Sequence, residues 1–374
     1  MNRLRDPLTP FLLISMVLGL SLSALIQMSP VLAAHMGASY TEIGLSMGAA
    51  RLTPYVILSP IIGLLLKRIP GMVAIMISAA LMVSSHLLLS IAGDLTLLTI
   101  AQIASGISMV FYYPVSEIIL ATIYNGAERM RAFSKFGAAS AMGFLAGSML
   151  GGVLAQYLGL QPMFLTLGVL TALTTPYITR SKLSPTVKDT HMMVNLNFLT
   201  KLLPAFSVTM PFFMIFGISQ VIIPGYAALS GISELEIGLL FLGMWVARIL
   251  TSITMARRPV GNIGRWFLMS GIVLSTLLAT VALYPSPTTL VILLLAMGAV
   301  IALIYILTLY LTSVKSEDNQ HMAIGAYETV IGMAFLIGTP LAGAMADILG
   351  IRTLFLGLSL LGLLSGIVGY LHRR

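Results

Sequence analysis

Five ionisable side chains stand inside long apolar stretches: Arg51, His86, Glu117, Arg248 and Glu328. An ionisable group kept from water costs several kcal/mol unless it is paired or hydrated, so each requires a partner or a task. A buried carboxyl can exchange a proton with a changing environment, a guanidinium can hold an anion, and the two together can form an ion pair that makes and breaks. Counting about 1.5 Å per residue from the middle of each stretch puts Arg248 near the centre. Glu328 then lies roughly 7 Å and Glu117 roughly 12 Å towards one end, and Arg51 about 5 Å towards the other. Arg248 and Glu328 are within reach of each other, whereas Arg51 and Glu117 are not. Arg51 must be satisfied by an anionic substrate, a backbone carbonyl or water.

Neutral polar and aromatic residues supply the remaining chemistry. Gln27 and Gln220 are near-equivalent amides that can hydrogen-bond a substrate or each other's neighbouring helices. Tyr112, Tyr113 and Tyr305 offer aromatic faces near the midplane. With 24 methionines in the chain, they suit an adaptable cavity for an amphipathic compound rather than a sugar. No HExxH, GxSxG, GxGD or phosphate-cradling GxxxxGK[ST] sequence is present, so neither an intramembrane enzyme nor a nucleotide-driven pump is expected. The absence of cysteine excludes disulfides and thiolate metal sites. The five histidines are dispersed, and no metal or other cofactor is expected beyond a proton gradient.

The elements that must position these residues are set by composition. Of 374 residues, 58% are hydrophobic and 9% charged, with a mean hydropathy of +1.01, whereas a soluble domain spends about a quarter of its residues on charge. Apolar runs of roughly 20 residues, the length of a bilayer crossing, recur from end to end. Spans are predicted near 11–34, 43–66, 72–92, 95–124, 136–158 and 160–179, then near 202–229, 237–255, 266–283, 289–314, 322–346 and 353–370. The polar stretch between the two sets reads as a linker, giving an N-terminal bundle over 1–180, a cytoplasmic linker over 181–201 and a C-terminal bundle over 202–374. Arg3 and Arg5 before the first span imitate a signal peptide, but the run is too long for one and should not be cleaved.

The net charge of +8 comes from basic residues in twos and threes between spans, a pattern of membrane orientation rather than nucleic-acid binding. An even number of crossings puts 17 of the 20 Lys and Arg residues on the side of both termini, Arg352 alone on the other, and Arg51 and Arg248 within spans. Both termini are therefore expected in the cytoplasm and the protein in the plasma membrane.

An internal repeat ties the two sets of spans together. A shift of 194 residues lays Pro10 on Pro204, Pro30 on Pro224, Gly37 on Gly231 and Glu42-Ile-Gly-Leu45 on Glu236-Ile-Gly-Leu239. A shift of 191 lays Gly147 on Gly338, Gly152 on Gly343 and Phe164 on Phe355. Six helices per copy preserve orientation, so the copies are related by an axis along the membrane normal, with a cavity between them. Gly143, Gly147 and Gly151, spaced by four, leave one face of the fifth span without bulk, and Gly338 and Ala342 do the same in the eleventh. Such stripes let helices approach closely.

Six-plus-six repeats, termini on one side and a polar central loop resemble the major facilitator superfamily over essentially the whole chain. That family's signature between the second and third helices is similar to Gly63-Leu-Leu-Leu66-Lys67-Arg68, with Leu66 where an aspartate is expected. The matching loop of the second half carries Arg257-Arg258. Gly63, Lys67, Arg68, Arg257 and Arg258 are thus the candidate cytoplasmic gate, without its charge relay. Gly147-Ser148-Met-Leu-Gly151-Gly152 is similar to a motif of the family's drug and proton antiporters, with Ser148 in place of proline, and Gln102 stands where many proton-coupled members carry arginine.

The resemblance implies an all-α membrane protein of twelve transmembrane helices in two bundles related by a pseudo-two-fold. It makes Arg51, Glu117, Arg248 and Glu328 candidates for ion coupling or switching. It places Glu117 beside the cavity as the leading proton site, and the helices of Arg248 and Glu328 side by side, so that their pair is either a switch or a permanent ion pair. His86 falls on a helix outside the cavity, as a packing or lipid-edge residue. The expected function is alternating-access export of a small amphipathic compound, with a proton gradient as the candidate driving force, by a monomer needing only the lipid bilayer and its substrate. The rivals are uptake of a small metabolite or organic anion, with Arg51 as the anion ligand, and a non-transporting sensor or scaffold.

Overall fold

The computed structural model describes residues 8–178, 196–257, 262–314 and 320–371, and not the side chains of 175–178, 196–201 and 320–321. All regular structure among them is helical. The N-terminal half comprises α1 (Leu8–His35), α2 (Tyr40–Leu65), α3 (Gly71–Ser90), α4 (Leu95–Ile123), α5 (Gly126–Leu158) and α6 (Leu160–Ile178). The C-terminal half comprises α7 (Leu196–Leu229), α8 (Glu234–Arg257), α9 (Ile263–Leu283), α10 (Pro287–Val314), α11 (Gln320–Leu349) and α12 (Ile351–Leu371). Eleven of these are long and apolar enough to cross a membrane, and α6, at 19 residues, completes the twelve. Of the expected linker, 181–195 lies outside the described residues, and Leu196 already belongs to α7.

The molecule is apolar on its outside, and its largely apolar interior also holds polar and charged groups. Leu173, Ile348, Leu250 and Leu360 are between 61% and 79% exposed, while Ser23, Gln27, Ser105, Glu117 and Thr308 are fully buried. The apolar exterior fits a hydrocarbon solvent, in which polar groups must find partners inside the protein.

The repeated Glu-Ile-Gly-Leu block proves to be a repeated helix entrance. Gly37 and Gly231 have φ of 83° and 77°, a left-handed turn that glycine adopts without strain. Two residues on, Ser39 and Glu42 form a reciprocal capping box, with Ser39 N donating to Glu42 at 2.8 Å and Glu42 N to Ser39 Oγ at 3.3 Å. Ser233 and Glu236 repeat it at 3.0 and 3.4 Å. The next glycine of each block lies against the other bundle, Gly44 under the Thr339 carbonyl and Gly238 under that of Ser148. One short motif therefore starts a helix and joins the halves.

The small-residue stripes are packing surfaces. Gly143 and Gly147 lie against the Met16 and Leu20 carbonyls of α1, Gly151 against Ala24, and Gly338 against Met214 of α7; Ala342 is buried. The bundles meet along α5 with α8, α2 with α11 and α1 with α7.

α2 departs from the uninterrupted helix expected over 43–66. Residues Gly44–Ala50 form π-helical turns and Ser59–Ile61 a 3₁₀ turn, with Pro54 and Pro60 beside the irregular segments. A π segment holds an extra residue and rotates the face presented by the helical residues after it. Arg51 is the first of these.

Candidate functional site

Between the bundles lies a cavity of about 80 Å³, room for roughly two or three waters. Its wall includes Arg51 and Tyr55 of α2, Tyr113 of α4, Gln220 of α7, Arg248 of α8, Tyr305 of α10 and Glu328 of α11, with Phe144, Phe213, Phe216 and Phe335 as apolar lining.

The two carboxyls are held crosswise. Glu117 of the N-terminal bundle accepts a hydrogen bond from Tyr305 of the C-terminal bundle, and Glu328 of the C-terminal bundle accepts one from Tyr55 of the N-terminal bundle. The carboxyls also face each other closely enough to interact. Glu117 Oε2 and Glu328 Oε1 are buried without a hydrogen-bond partner, so a proton between them would satisfy both oxygens. Tyr327 packs beside Tyr305, ring centroids 6.4 Å apart, and its hydroxyl lies 3.0 Å from Thr308.

The two arginines are treated differently. Arg248 has its guanidinium carbon 5.5 Å from the Trp245 ring, 5.8 Å from Tyr305 and 5.9 Å from Phe216, a cage that stabilises a cation partly out of water. Arg51 is 1% exposed, and its Nε and Nη1 have no hydrogen-bond partner. A contact that becomes an ion pair when His35 is protonated joins His35 Nε2 to Glu234 Oε1 at 3.8 Å. The direct Arg248–Glu328 pair is not formed in this state: Tyr55 donates to Glu328 Oε2, and aromatic rings surround the Arg248 guanidinium.

Other expected positions separate in the same way. Tyr113, Gln220 and Tyr305 line the cavity; the Gln220 amide donates to Met244 Sδ at 3.3 Å and leaves its carbonyl oxygen free. Gln27 and Tyr112 do not line it. Gln27 accepts from Ser148 and donates to Ser23 at 3.3 Å, tying α1 to α5. The Tyr112 hydroxyl donates to the Ser15 carbonyl at 3.2 Å while its ring packs on Tyr113 and Phe136. In this state both pack within the N-terminal bundle, away from the cavity. His86 is fully buried, bonded to the Met82 carbonyl at 2.9 Å and edge-on to Phe164, so it packs between helices and does not meet lipid.

Of the candidate gate, Gly63 and Leu66 are buried, Arg68 and Arg257 are exposed, Lys67 is half-buried, and Arg258 lies outside the described residues. Tyr55, Trp245, Phe213, Phe216 and Phe335 were not singled out in the sequence. Tyr55 stands one turn after Arg51 and Trp245 one turn before Arg248, and that spacing was the available signal.

Both ends of the cavity are shut. At the end bearing the termini, Gly325 of α11 lies against the Ser59 carbonyl of α2; at the opposite end, Gly343 lies against the Tyr40 carbonyl and Gly152 against that of Glu234. Two six-helix bundles closed around a charged internal cavity make the architecture of a membrane transporter. The profile of the Major Facilitator Superfamily matches residues 11–191 and 205–374, and the chain belongs to that family. Among solved structures, it is similar to the human organic anion transporter MFSD10 (TETRAN), with a TM-score of 0.76 and 15% identity over 99% of this chain and 100% of that one, a likeness of fold. No curated protein matches the sequence.

Proposed function

We propose that the protein is a secondary active transporter that carries a small amphipathic organic anion together with protons, by alternating access of the two bundles. The observation that carries this reading is Arg51, a buried guanidinium facing the cavity with Nε and Nη1 unpartnered. Guanidinium donors that find no acceptor among the described residues fit a carboxylate, sulfonate or phosphate from a substrate. The phenyl rings around it suit the apolar part of such a molecule. MFSD10, the similar structure, is described as an organic anion transporter, which agrees with this chemistry.

Charge balance supplies the coupling. With Glu117 and Glu328 both ionised, the two arginines and two carboxylates cancel. Each proton taken up leaves a positive charge uncompensated in a site of low dielectric, which strengthens binding of an anion. Proton and anion therefore favour each other, and by linkage the effect is reciprocal. The same balance disfavours a cationic substrate, so this symport reading is preferred over export of a neutral or cationic amphipath. With the termini in the cytoplasm, as the basic loops indicate, the gradients set the direction of net transport.

The test is uptake of a radiolabelled aryl carboxylate into proteoliposomes under an inward proton gradient. Wild-type protein should accumulate it and Arg51→Gln should not. Equal accumulation by both would remove Arg51 as the anion ligand.

A further inference from the structure

At each end of the cavity a charged side chain reaches from its own bundle to the end of a helix in the other, beside the His35–Glu234 contact at the end opposite the termini. At the end opposite the termini, Asp347 of α11 accepts from the backbone N–H groups of Tyr40 and Thr41 at 3.2 and 2.8 Å and from the Thr41 hydroxyl at 2.5 Å. It thereby caps the first turn of α2, whose N–H groups have no partner within the helix. At the end bearing the termini, Arg129 of α5 is anchored to the Tyr124 carbonyl at 2.8 Å and to Asn125 Oδ1 at 2.9 Å, and extends Nη1 to the Ser313 carbonyl at 3.4 Å. Ser313 is in the last turn of α10, whose carbonyls lack helical donor partners in the same way. An acid thus sits at a helix N-terminus and a base at a helix C-terminus, the favourable sense of the helix dipole at both ends.

The internal repeat shows that these charges are not a by-product of the shared fold. Under the shift of 191 residues, Asp347 corresponds to Gln156, which is exposed at the end of α5, and Arg129 corresponds to Gln320. Each charge stands in one half only. One contact runs from the C-terminal bundle to the N-terminal bundle and the other runs back, at opposite ends.

We propose that Asp347 and Arg129 are the two gate latches of the transport cycle, each holding one end of the cavity shut by capping a helix of the facing bundle. Rocking of the bundles breaks one latch while the other stays made. In this chain the charge that locks a gate is thus placed at the ends of α11 and α5, and not at Leu66 in the loop after α2.

The native chain has no cysteine, so a single reporter can be placed at Ile26→Cys, in the cavity wall on α1, away from both latches. Labelling by a membrane-impermeant maleimide is then followed from each face in reconstituted, sidedness-sorted vesicles. Asp347→Ala should raise labelling severalfold from the face opposite the termini and lower it from the other. Arg129→Gln should do the reverse. If either variant leaves both rates unchanged, or raises both alike, the assignment is overturned. Thr41→Val, which removes one hydroxyl from the first latch, should shift labelling in the same direction as Asp347→Ala but less, and it tests the same latch should Asp347→Ala not fold. The readout is independent of any substrate.

Discussion

At the scale of residues, the cavity distinguishes groups that face it from groups that support it. Arg51→Lys keeps the charge but replaces a planar fork by a single ammonium, so it should retain part of the anion flux that Arg51→Gln loses, with a raised KM. Gln220→Leu should raise the KM for an aryl carboxylate, because its free carbonyl oxygen borders the cavity. Gln27→Leu should leave KM unchanged and lower thermal stability by about 1–3 kcal/mol, because it removes two buried hydrogen bonds and leaves the Ser148 hydroxyl without its acceptor. A KM effect in Gln27→Leu equal to that in Gln220→Leu would contradict the assignment. Tyr55→Phe deprives a buried carboxyl of its donor, at a cost of roughly 1–3 kcal/mol. The occluded form should become less stable, seen as a lower melting temperature in detergent that Tyr113→Phe does not reproduce.

At the scale of elements, α2 and α5 determine what the sequence could and could not reveal. The glycine spacing of α5 was legible as a close-packed face because small residues at every fourth position have few other meanings in a membrane helix. Gly147→Val should therefore separate α5 from α1 and cost about 1–3 kcal/mol by overpacking, measurable as reduced thermal stability with the bundle contacts between α5 and α8 retained. Facing was not legible in the same way. α1 and α4 show no strong apolar stripe, so periodicity does not say which side meets the cavity, and Gln27 and Tyr112 lie in the bundle interior in this state. The π turns over Gly44–Ala50 add a further shift that no count at 3.6 residues per turn recovers. Removing one residue there, by deletion of Ala50, should rotate Arg51 by about 100° relative to the start of α2. Anion uptake should be lost while the protein still inserts and folds.

At the scale of the whole molecule, the internal repeat made the two-bundle architecture readable. Copies at fixed shifts of 194 and 191 residues, with an even helix count, leave few topologies. The charged site was readable as a set of residues but not as a set of partners, since Glu117–Tyr305 and Tyr55–Glu328 join residues 188 and 273 positions apart, and nothing local specifies them. In the proposed mechanism their crosswise arrangement links chemistry to movement, because each carboxyl is held by a tyrosine of the facing bundle. Proton and anion movement measured together test this coupling most directly. Proteoliposomes carrying an internal pH indicator, with no imposed pH gradient, are given an inward gradient of a labelled aryl carboxylate. The interior should acidify in step with anion entry, Arg51→Gln should abolish both, and Glu117→Gln or Glu328→Gln should remove the acidification while anion exchange persists. Anion entry without acidification in the wild type, or acidification driven equally by neutral amphipaths and untouched by Arg51→Gln, would contradict proton-coupled anion transport through this site.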